Sequence, residues 1–168
     1  MDKKISLLVA GGTGFLGYHV LKRAKKENWS LSSLSSKAPK KKFFKKKVKY
    51  IKTDLTKTKK LKKYDYDYVI NLTGYTNILQ NKKIKNIFFK THFYGLKNLI
   101  NLLNKKKLKK FIQAGSSLEY GLIKQPQKES STPKPNTYYG KAKLKCTNYL
   151  LKSFNKNKFQ KIVLRFFQ

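Results

Sequence analysis

The chain has 168 residues and a formal net charge of +34, with 41 lysines and arginines against seven acidic residues. This length fits one domain with a sizeable core, and no apolar run reaches the about 20 residues that a membrane span requires. The residues before the first predicted strand leave no room for a signal peptide. The single cysteine, Cys146, excludes an intramolecular disulfide, so we expect a buried free thiol in a cytoplasmic protein.

The large positive charge raises the question of a nucleic-acid partner. Arg23 and Arg165 are the only arginines, and the lysines are spread through every segment. Arginine is the residue that makes forked contacts to phosphates and base edges. We therefore expect a solvated lysine surface without a specific nucleic-acid partner, although non-specific binding at low salt follows from the charge.

A glycine-rich turn connects the first two predicted elements. Residues 5–10 form an apolar run that predicts a buried strand, and residues 15–27 predict a helix. The absence of side chains lets backbone N–H groups approach a phosphate, and the N-terminus of the helix adds partial positive charge. The position of the turn between strand and helix therefore predicts a pyrophosphate site rather than a bare turn, formed by Gly11, Thr13, Gly14, Phe15, Leu16 and Gly17.

The second predicted strand, residues 29–35, ends at Ser35, Ser36 and Lys37. In dinucleotide-binding folds this strand end meets the adenosine ribose. An acidic residue there selects NAD, whereas a basic or small polar residue accommodates the extra phosphate of NADP. No acidic residue is near, so the sequence favours NADP over NAD.

The rest of the chain continues the alternation of strands and helices. Strands are predicted over residues 46–53, 66–72, 111–115 and 162–167, and helices over residues 57–63, 84–103 and 137–156. This order predicts an α/β fold, a doubly wound and mostly parallel sheet flanked by helices, in a single domain over residues 1–168. Ligands of such sheets bind at the C-terminal ends of the strands, where the candidate residues lie: Asp54, Leu55, Thr73, Gly74 and Ser116.

Tyr139 and Lys143 are four residues apart on the last predicted helix and project from one face. A tyrosine with its ordinary pKa near ~10 is a poor base, and a nearby ammonium group moves that pKa towards neutrality. With Ser116 at the neighbouring strand end, the pair predicts a site that interconverts a hydroxyl and a carbonyl. The alternative is a solvated helix in a lysine-rich chain, where this spacing arises by chance.

Taken together, these motifs resemble the extended short-chain dehydrogenase/reductases, also called the NAD-dependent epimerase/dehydratase family, with a Rossmann-type fold. The matching segments run the length of the chain: residues 11–17, 54–55, 116–121, 139–143 and 162–165. The resemblance implies that Tyr139 is the general acid/base and Ser116 orients the substrate. It implies that Lys143 holds the nicotinamide ribose and lowers the pKa of Tyr139. It also places Asp54 and Leu55 beside the adenine, and Thr73 and Gly74 along the cofactor.

The sequence departs from the family in three places. Ser117 and Leu118 stand where the family's dehydratases have Asp and Glu, which disfavours elimination of water. His92 stands where the family usually has Asn in the long helix, whereas His19 is interpreted as a surface residue. Family members also continue past the last strand into a smaller lobe that holds the sugar nucleotide, so we expect the chain to be a cofactor lobe truncated at its C-terminus.

The resemblance implies an NAD(P)-dependent epimerase or reductase of nucleotide sugars, with no metal. The alternative is a dinucleotide-binding module without turnover. A homodimer through the helices at residues 84–103 and 137–156 is a further implication of the resemblance. The identity of the sugar, and the choice between epimerisation and reduction, stay open at this point.

Overall fold

A computed structural model of the chain describes residues 4–57, 63–75, 82–122, 126–153 and 159–167. Six strands form one sheet in the order β3-β2-β1-β4-β5-β6, and all neighbouring strands are parallel. This confirms the predicted doubly wound sheet. The strands are β1 Ser6–Ala10, β2 Ser30–Ser35, β3 Val48–Lys52, β4 Tyr68–Asn71, β5 Lys110–Ser116 and β6 Gln160–Phe166.

Four α-helices accompany the sheet in the described part of the chain. They are α1 Phe15–Ala24, α2 Lys82–Phe88, α3 Gly95–Asn101 and α4 Tyr138–Ser153. A π-helical segment, Phe89–Tyr94, connects α2 to α3. Short 3₁₀ turns lie at Lys25–Glu27, Lys41–Phe43 and Ser117–Glu119. No described helix has the length and apolar character needed to cross a membrane.

The boundaries differ from the predicted ones in instructive ways. The helix predicted over residues 84–103 is divided by the π-helical segment, which hydrophobic spacing does not reveal. The helix predicted over residues 57–63 falls mostly outside the described residues. Between β5 and α4, Gly121 and Lys134 form an isolated parallel β-bridge that the sequence did not predict.

The core lies on both faces of the sheet because consecutive residues of a strand point to opposite sides. Leu8 of β1 belongs to a large cluster with Leu96, Phe111 and Leu150. Leu7 belongs to a smaller cluster on the other face, which also contains Val9, Leu21, Ala24 and Leu31. The central strand β1 is therefore apolar from Leu7 to Ala10, which is why it could be predicted from the sequence. Cys146 is a buried free thiol as expected, and burial raises its pKa to about 12.

The strand order reverses direction between β1 and β4. In doubly wound sheets the crevice at such a reversal, beyond the C-terminal strand ends, is where ligands bind. Backbone hydrogen bonds extend past the strands here. The amide N of Gly11 donates to the Leu34 carbonyl at 2.8 Å, and the amide N of Thr53 donates to the Ser35 carbonyl at 2.9 Å. These hydrogen bonds fix the backbone at the C-terminal ends of the strands, where the candidate residues lie.

Candidate functional site

The glycine turn, residues 11–17, is tight at its two ends and open in its centre. Gly11 has φ +83°, a conformation that side chains rarely adopt, and a Cβ on Gly17 would overlap the Gly11 carbonyl oxygen. A Cβ on Gly14 would meet only the Gly11 carbonyl oxygen, at 3.4 Å. Gly14 is the N-cap residue of α1, and no described side chain hydrogen-bonds to this cap. The turn therefore leaves space at the start of the helix, where backbone N–H groups attract anions.

The end of β2 is attached to this turn. Ser35 is buried, and its hydroxyl accepts a hydrogen bond from the amide N of Thr13 at 3.4 Å. Ser36 and Lys37 follow as exposed residues. The three residues that the sequence assigns to an adenosine ribose thus lie beside the glycine turn, with no acidic side chain among them.

A cavity of about 120 Å³ lies along the strand ends next to the turn. It brings together most of the other predicted cofactor residues with three threonines that the sequence motifs do not single out. Its lining consists of Leu34, Ser35, Ser36, Thr53, Asp54, Leu55, Thr56, Thr73, Gly74 and Thr91. Thr53 and Thr56 follow the end of β3, and Thr91 lies on the π-helical segment opposite the strand ends. Such positions are too common to identify a site from the sequence.

Asp54 carries a negative charge at the wall of this cavity. Its Oδ1 accepts hydrogen bonds from the hydroxyl of Thr56 at 2.7 Å and from the amide N of Thr56 at 2.9 Å. These hydrogen bonds hold the pKa of the carboxyl below its ordinary value. The next residue, Leu55, accepts a hydrogen bond from the Asn98 side chain at 2.7 Å, which attaches the loop to α3.

A buried chain of polar groups runs from the cavity to α4. The Thr73 hydroxyl donates to Asn71 Oδ1 at 2.6 Å, and Asn71 Nδ2 donates to Gln113 Oε1 at 2.8 Å. Gln113 Nε2 donates to the Ala114 carbonyl at 2.9 Å, and Lys143 Nζ donates to the same oxygen at 2.6 Å. Asn71 and Gln113 are paired across β4 and β5. Each is a polar residue next to apolar neighbours in its strand. This signal was available in the sequence, but the predictions did not use it.

Ser116, Tyr139 and Lys143 meet at this end of β5 and form what we call the Ser-Tyr-Lys cluster. The Ser116 hydroxyl is close enough to the Tyr139 phenol to lower its pKa, and Lys143 Nζ lies 5.7 Å from the centre of the Tyr139 ring. Lys143 is 4% exposed and Ser116 is 8% exposed, so the cluster is shielded from bulk water. Ser116 at the end of β5 therefore lies beside Tyr139 and Lys143, which are four residues apart on α4.

Burial dominates the electrostatics of the cluster. It raises the pKa of Tyr139, and the nearby Ser116 hydroxyl opposes that rise only in part. Burial also lowers the pKa of Lys143. In this arrangement the ammonium group donates to the Ala114 carbonyl and burial has the larger effect on the phenol, so the lowering of the Tyr139 pKa by Lys143 stays a prediction.

Ser116 is held by a buried carboxylate, Glu119, which completes a Ser-x-x-Glu capping box around the 3₁₀ turn Ser117–Glu119. Glu119 is fully buried, and its Oε1 accepts a hydrogen bond from the amide N of Ser116 at 3.0 Å. Its Oε2 accepts hydrogen bonds from the hydroxyl of Thr147 at 2.8 Å and from Nε of Arg165 at 3.0 Å. Arg165 also donates to the Tyr120 hydroxyl at 2.8 Å. This network joins β5, α4 and β6 behind the cluster.

The two histidines differ sharply. His19 is exposed, as expected. His92 is 4% exposed, and its ring stands edge-to-face against Tyr139 with centroids 5.2 Å apart. Burial, assisted by the charge of Lys143, lowers the pKa of His92 to about 4, so the imidazole is neutral at neutral pH.

The sheet order and the strand-end site together define a Rossmann-type α/β domain. The model of the NAD dependent epimerase/dehydratase family matches residues 7–168, and the chain belongs to this family. No curated protein sequence matches the chain.

Solved structures with the same fold include three epimerases. The UDP-N-acetylglucosamine 4-epimerase from Methanobrevibacter ruminantium M1, in complex with UDP-N-acetylmuramic acid, is 25% identical with TM-score 0.80, covering 98% of this chain and 55% of its own. The UDP-Glc/GlcNAc 4-epimerase from Campylobacter jejuni is 20% identical with TM-score 0.84, covering 97% and 53%. The UDP-glucose 4-epimerase from Thermus thermophilus, in complex with NAD, is 19% identical with TM-score 0.80, covering 95% and 54%. The chain therefore spans about half the length of these solved chains.

Proposed function

We propose that the chain is the cofactor-binding part of an NAD(P)-dependent enzyme that epimerises or reduces a nucleotide sugar. The observation that carries this proposal is that the Ser-Tyr-Lys cluster lies at the same sheet edge as the glycine turn and the strand-end cavity. An open glycine turn, a cavity at the strand ends and a buried proton donor at one sheet edge suit a redox reaction on a nicotinamide dinucleotide.

The residues present fit such a cofactor, since the open space at Gly14 suits a pyrophosphate and the cavity of about 120 Å³ suits part of an adenosine. The pyrophosphate would be held by Gly11, Thr13, Gly14, Phe15, Leu16 and Gly17. The adenosine would be held by Ser35, Ser36, Lys37, Asp54 and Leu55. The nicotinamide half would be held by Thr73, Gly74, Tyr139 and Lys143. When bound, the cofactor supplies a reversible hydride acceptor.

The chain's own groups would handle the proton. With its pKa above the ordinary value, the Tyr139 phenol is protonated at neutral pH and suited to donate a proton to a sugar carbonyl. Removal of a proton from a sugar hydroxyl needs a phenolate, which the positive charge of Lys143 would stabilise. Ser116 would hydrogen-bond the same substrate oxygen and hold it against the phenol.

The choice of dinucleotide is part of the proposal. The Thermus thermophilus epimerase structure is a complex with NAD. The end of β2 in this chain carries Ser35, Ser36 and Lys37, without an acidic residue to receive the ribose hydroxyls of NAD. NADP as the preferred form therefore stays a prediction of the sequence, which a parallel titration with both dinucleotides decides.

The substrate class is supported by the three structural neighbours, which are all epimerases of UDP-sugars. We propose a nucleoside diphosphate sugar for this chain. A homodimer through residues 84–103 and 137–156 stays a prediction, to be measured by light scattering.

The test compares two adjacent tyrosines. Tyr139→Phe removes the proposed acid/base hydroxyl, and Tyr138→Phe removes a hydroxyl one position earlier on α4. The chain is titrated calorimetrically with NADH and NADPH, and turnover of a UDP-sugar panel by a full-length version of the protein is followed by nicotinamide absorbance and product analysis. We expect dinucleotide binding in all forms and loss of turnover on the order of 100-fold or more in Tyr139→Phe only.

Two results would contradict the proposal. Unchanged turnover in Tyr139→Phe removes the assigned role of the phenol. Dinucleotide binding without conversion of any sugar nucleotide by the unsubstituted full-length version favours the binding module instead.

A further inference from the structure

His92 is the buried side chain at this edge that the proposed chemistry leaves without a role. It comes from the π-helical segment Phe89–Tyr94, in which the amide N of Gly95 reaches back to the Lys90 carbonyl. Such segments inside α-helices are frequent at functional sites, because the extra residue redirects a side chain. Here His92 and Phe93 are buried while Tyr94 is exposed.

One side of the imidazole is fixed to the turn after β4. His92 Nε2 lies 3.0 Å from the carbonyl oxygen of Tyr75 and 3.3 Å from its amide N. The ring is therefore held by the backbone of one residue whichever nitrogen carries the hydrogen. In the described part of the chain, Nδ1 has no hydrogen-bond partner.

The same turn contains a glycine that the imidazole requires. A Cβ on Gly74 would overlap Cε1 of His92 and would lie 2.8 Å from Nδ1. A glycine at a strand end indicates, from the sequence, a place where backbone passes close to a ligand. The structure shows that its immediate neighbour is the His92 ring, so Gly74 and His92 form a matched pair.

The other side of the imidazole meets the proposed acid/base residue. The rings of His92 and Tyr139 are 5.2 Å apart at 88°, and Phe88 completes a cluster of three rings at 5.6 Å from Tyr139. Edge-to-face pairs at this separation have a preferred orientation and restrict each other's movement. His92 thus connects the cavity-lining turn to the phenol.

We propose that His92 is a positioning residue that fixes the Tyr139 phenol relative to the turn at residues 73–75. This inference rests on the proposed function of Tyr139. The groups that face the imidazole are Tyr139 and Lys143 from α4 and the backbone of Tyr75. A neutral ring can orient the phenol without adding a second positive charge beside Lys143, and the lowered pKa of His92 agrees with that.

The first test reads the phenol directly and needs no turnover. Tyrosine labelled with ¹³C at Cζ is incorporated, and the Tyr139 signal is assigned by its loss in Tyr139→Phe. His92→Leu removes the anchor to Tyr75 and shrinks the ring contact, whereas His92→Gln keeps an amide that can donate to the Tyr75 carbonyl. His19→Leu is the control, since it changes the only other histidine.

In His92→Leu we expect the Tyr139 signal to move and its titration midpoint to fall towards that of an exposed tyrosine, because burial is what raises it. His92→Gln should lie between His92→Leu and the unsubstituted protein, and His19→Leu should leave the signal in place. An unchanged Tyr139 signal and midpoint in His92→Gln and in any folded His92→Leu overturn the proposal. Circular dichroism establishes folding, and His92→Gln decides alone if the leucine variant does not fold.

A kinetic test separates this inference from the proposed function. We expect His92→Gln and His92→Leu to lower kcat, on the order of 10-fold for leucine, with the dissociation constant of the dinucleotide changed less than about twofold. If Tyr139→Phe abolishes turnover while both His92 variants keep the original kcat, the role of His92 is refuted and the proposed function stands. If Tyr139→Phe keeps turnover, the proposed function fails first.

Discussion

The two halves of the strand-end edge are built by different means. The glycine turn and the end of β2 form a half made by backbone, where Gly11, Gly14 and Gly17 set the shape through the side chains they lack. The Ser-Tyr-Lys cluster forms a half made by buried polar side chains, in which Glu119 and His92 hold Ser116 and Tyr139. The half made by backbone needs few side-chain contacts. The half made by buried polar side chains depends on hydrogen bonds and charges whose loss lowers the free energy of unfolding.

The largest expected effect is on stability and comes from a substitution in the half made by buried polar side chains. Glu119→Gln leaves Arg165 without its buried counter-charge, so we expect the free energy of unfolding to fall by about 3 to 5 kcal/mol. The matched control is Glu27→Gln, whose partner Arg23 is exposed and whose loss should cost less than about 1 kcal/mol. Urea denaturation of the three proteins measures both. Equal losses would show that Glu119 does not hold the cluster.

The pH dependence of stability tests the burial of His92 in the half made by polar side chains. Its pKa falls from 6.5 in the unfolded chain to about 4 in the fold, so the folded protein binds fewer protons between those values. Stability from this group is complete above pH 6.5 and is lost as the pH falls to 4, by about 3 kcal/mol in total. Asp67, with a pKa of about 2, acts only below pH 4.

Urea denaturation at pH 7, 5.5 and 4 measures this loss, and His92→Gln should flatten the dependence. A slope that is identical in both proteins would contradict the buried neutral imidazole.

The backbone half is tested by two alanine substitutions at glycines. Gly17→Ala places a Cβ against the backbone of Gly11 and Gly12, and we expect a loss of about 1 to 3 kcal/mol. Gly14→Ala places a Cβ 3.4 Å from the Gly11 carbonyl oxygen, so stability should change by less than about 1 kcal/mol while dinucleotide binding weakens. Thermal unfolding and calorimetric titration separate the two effects. Unimpaired binding by Gly14→Ala would place the pyrophosphate elsewhere.

The smallest expected effect concerns the end of β2. Lys37→Ala should raise the dissociation constant of NADPH about threefold, or roughly 0.6 kcal/mol, and leave that of NADH unchanged, because an exposed ion contact is weak. Lys40→Ala is the control for general loss of positive charge. Equal effects of both variants on both dinucleotides would attribute the change to the lysine background.

The same comparison explains what could be predicted from the sequence. Gly11, Gly14 and Gly17 have a local reason for their identity, and Leu7 to Ala10 of β1 are apolar because the strand is covered on both faces. The turn, the strands and the parallel, doubly wound character of the sheet were therefore predictable. The pairing of Asn71 with Gln113, and the contacts of Glu119 with Thr147 and Arg165, join residues that are 28 to 46 positions apart, which no local pattern specifies. The pKa of Tyr139 depends on its burial, and burial of one helix face is decided only when α4 packs on β5.

The central claim is that both halves of the edge hold one nicotinamide dinucleotide. Lys143→Met keeps the length of the side chain and removes its charge, and calorimetry then compares NADH with ADP, which lacks the nicotinamide ribose. We expect the dissociation constant of NADH to rise on the order of 10-fold and that of ADP to stay within about twofold. The reason is that a hydrogen bond from a charged donor contributes roughly 1.5 to 3 kcal/mol. Equal changes for the two ligands, or no change for NADH, would contradict it.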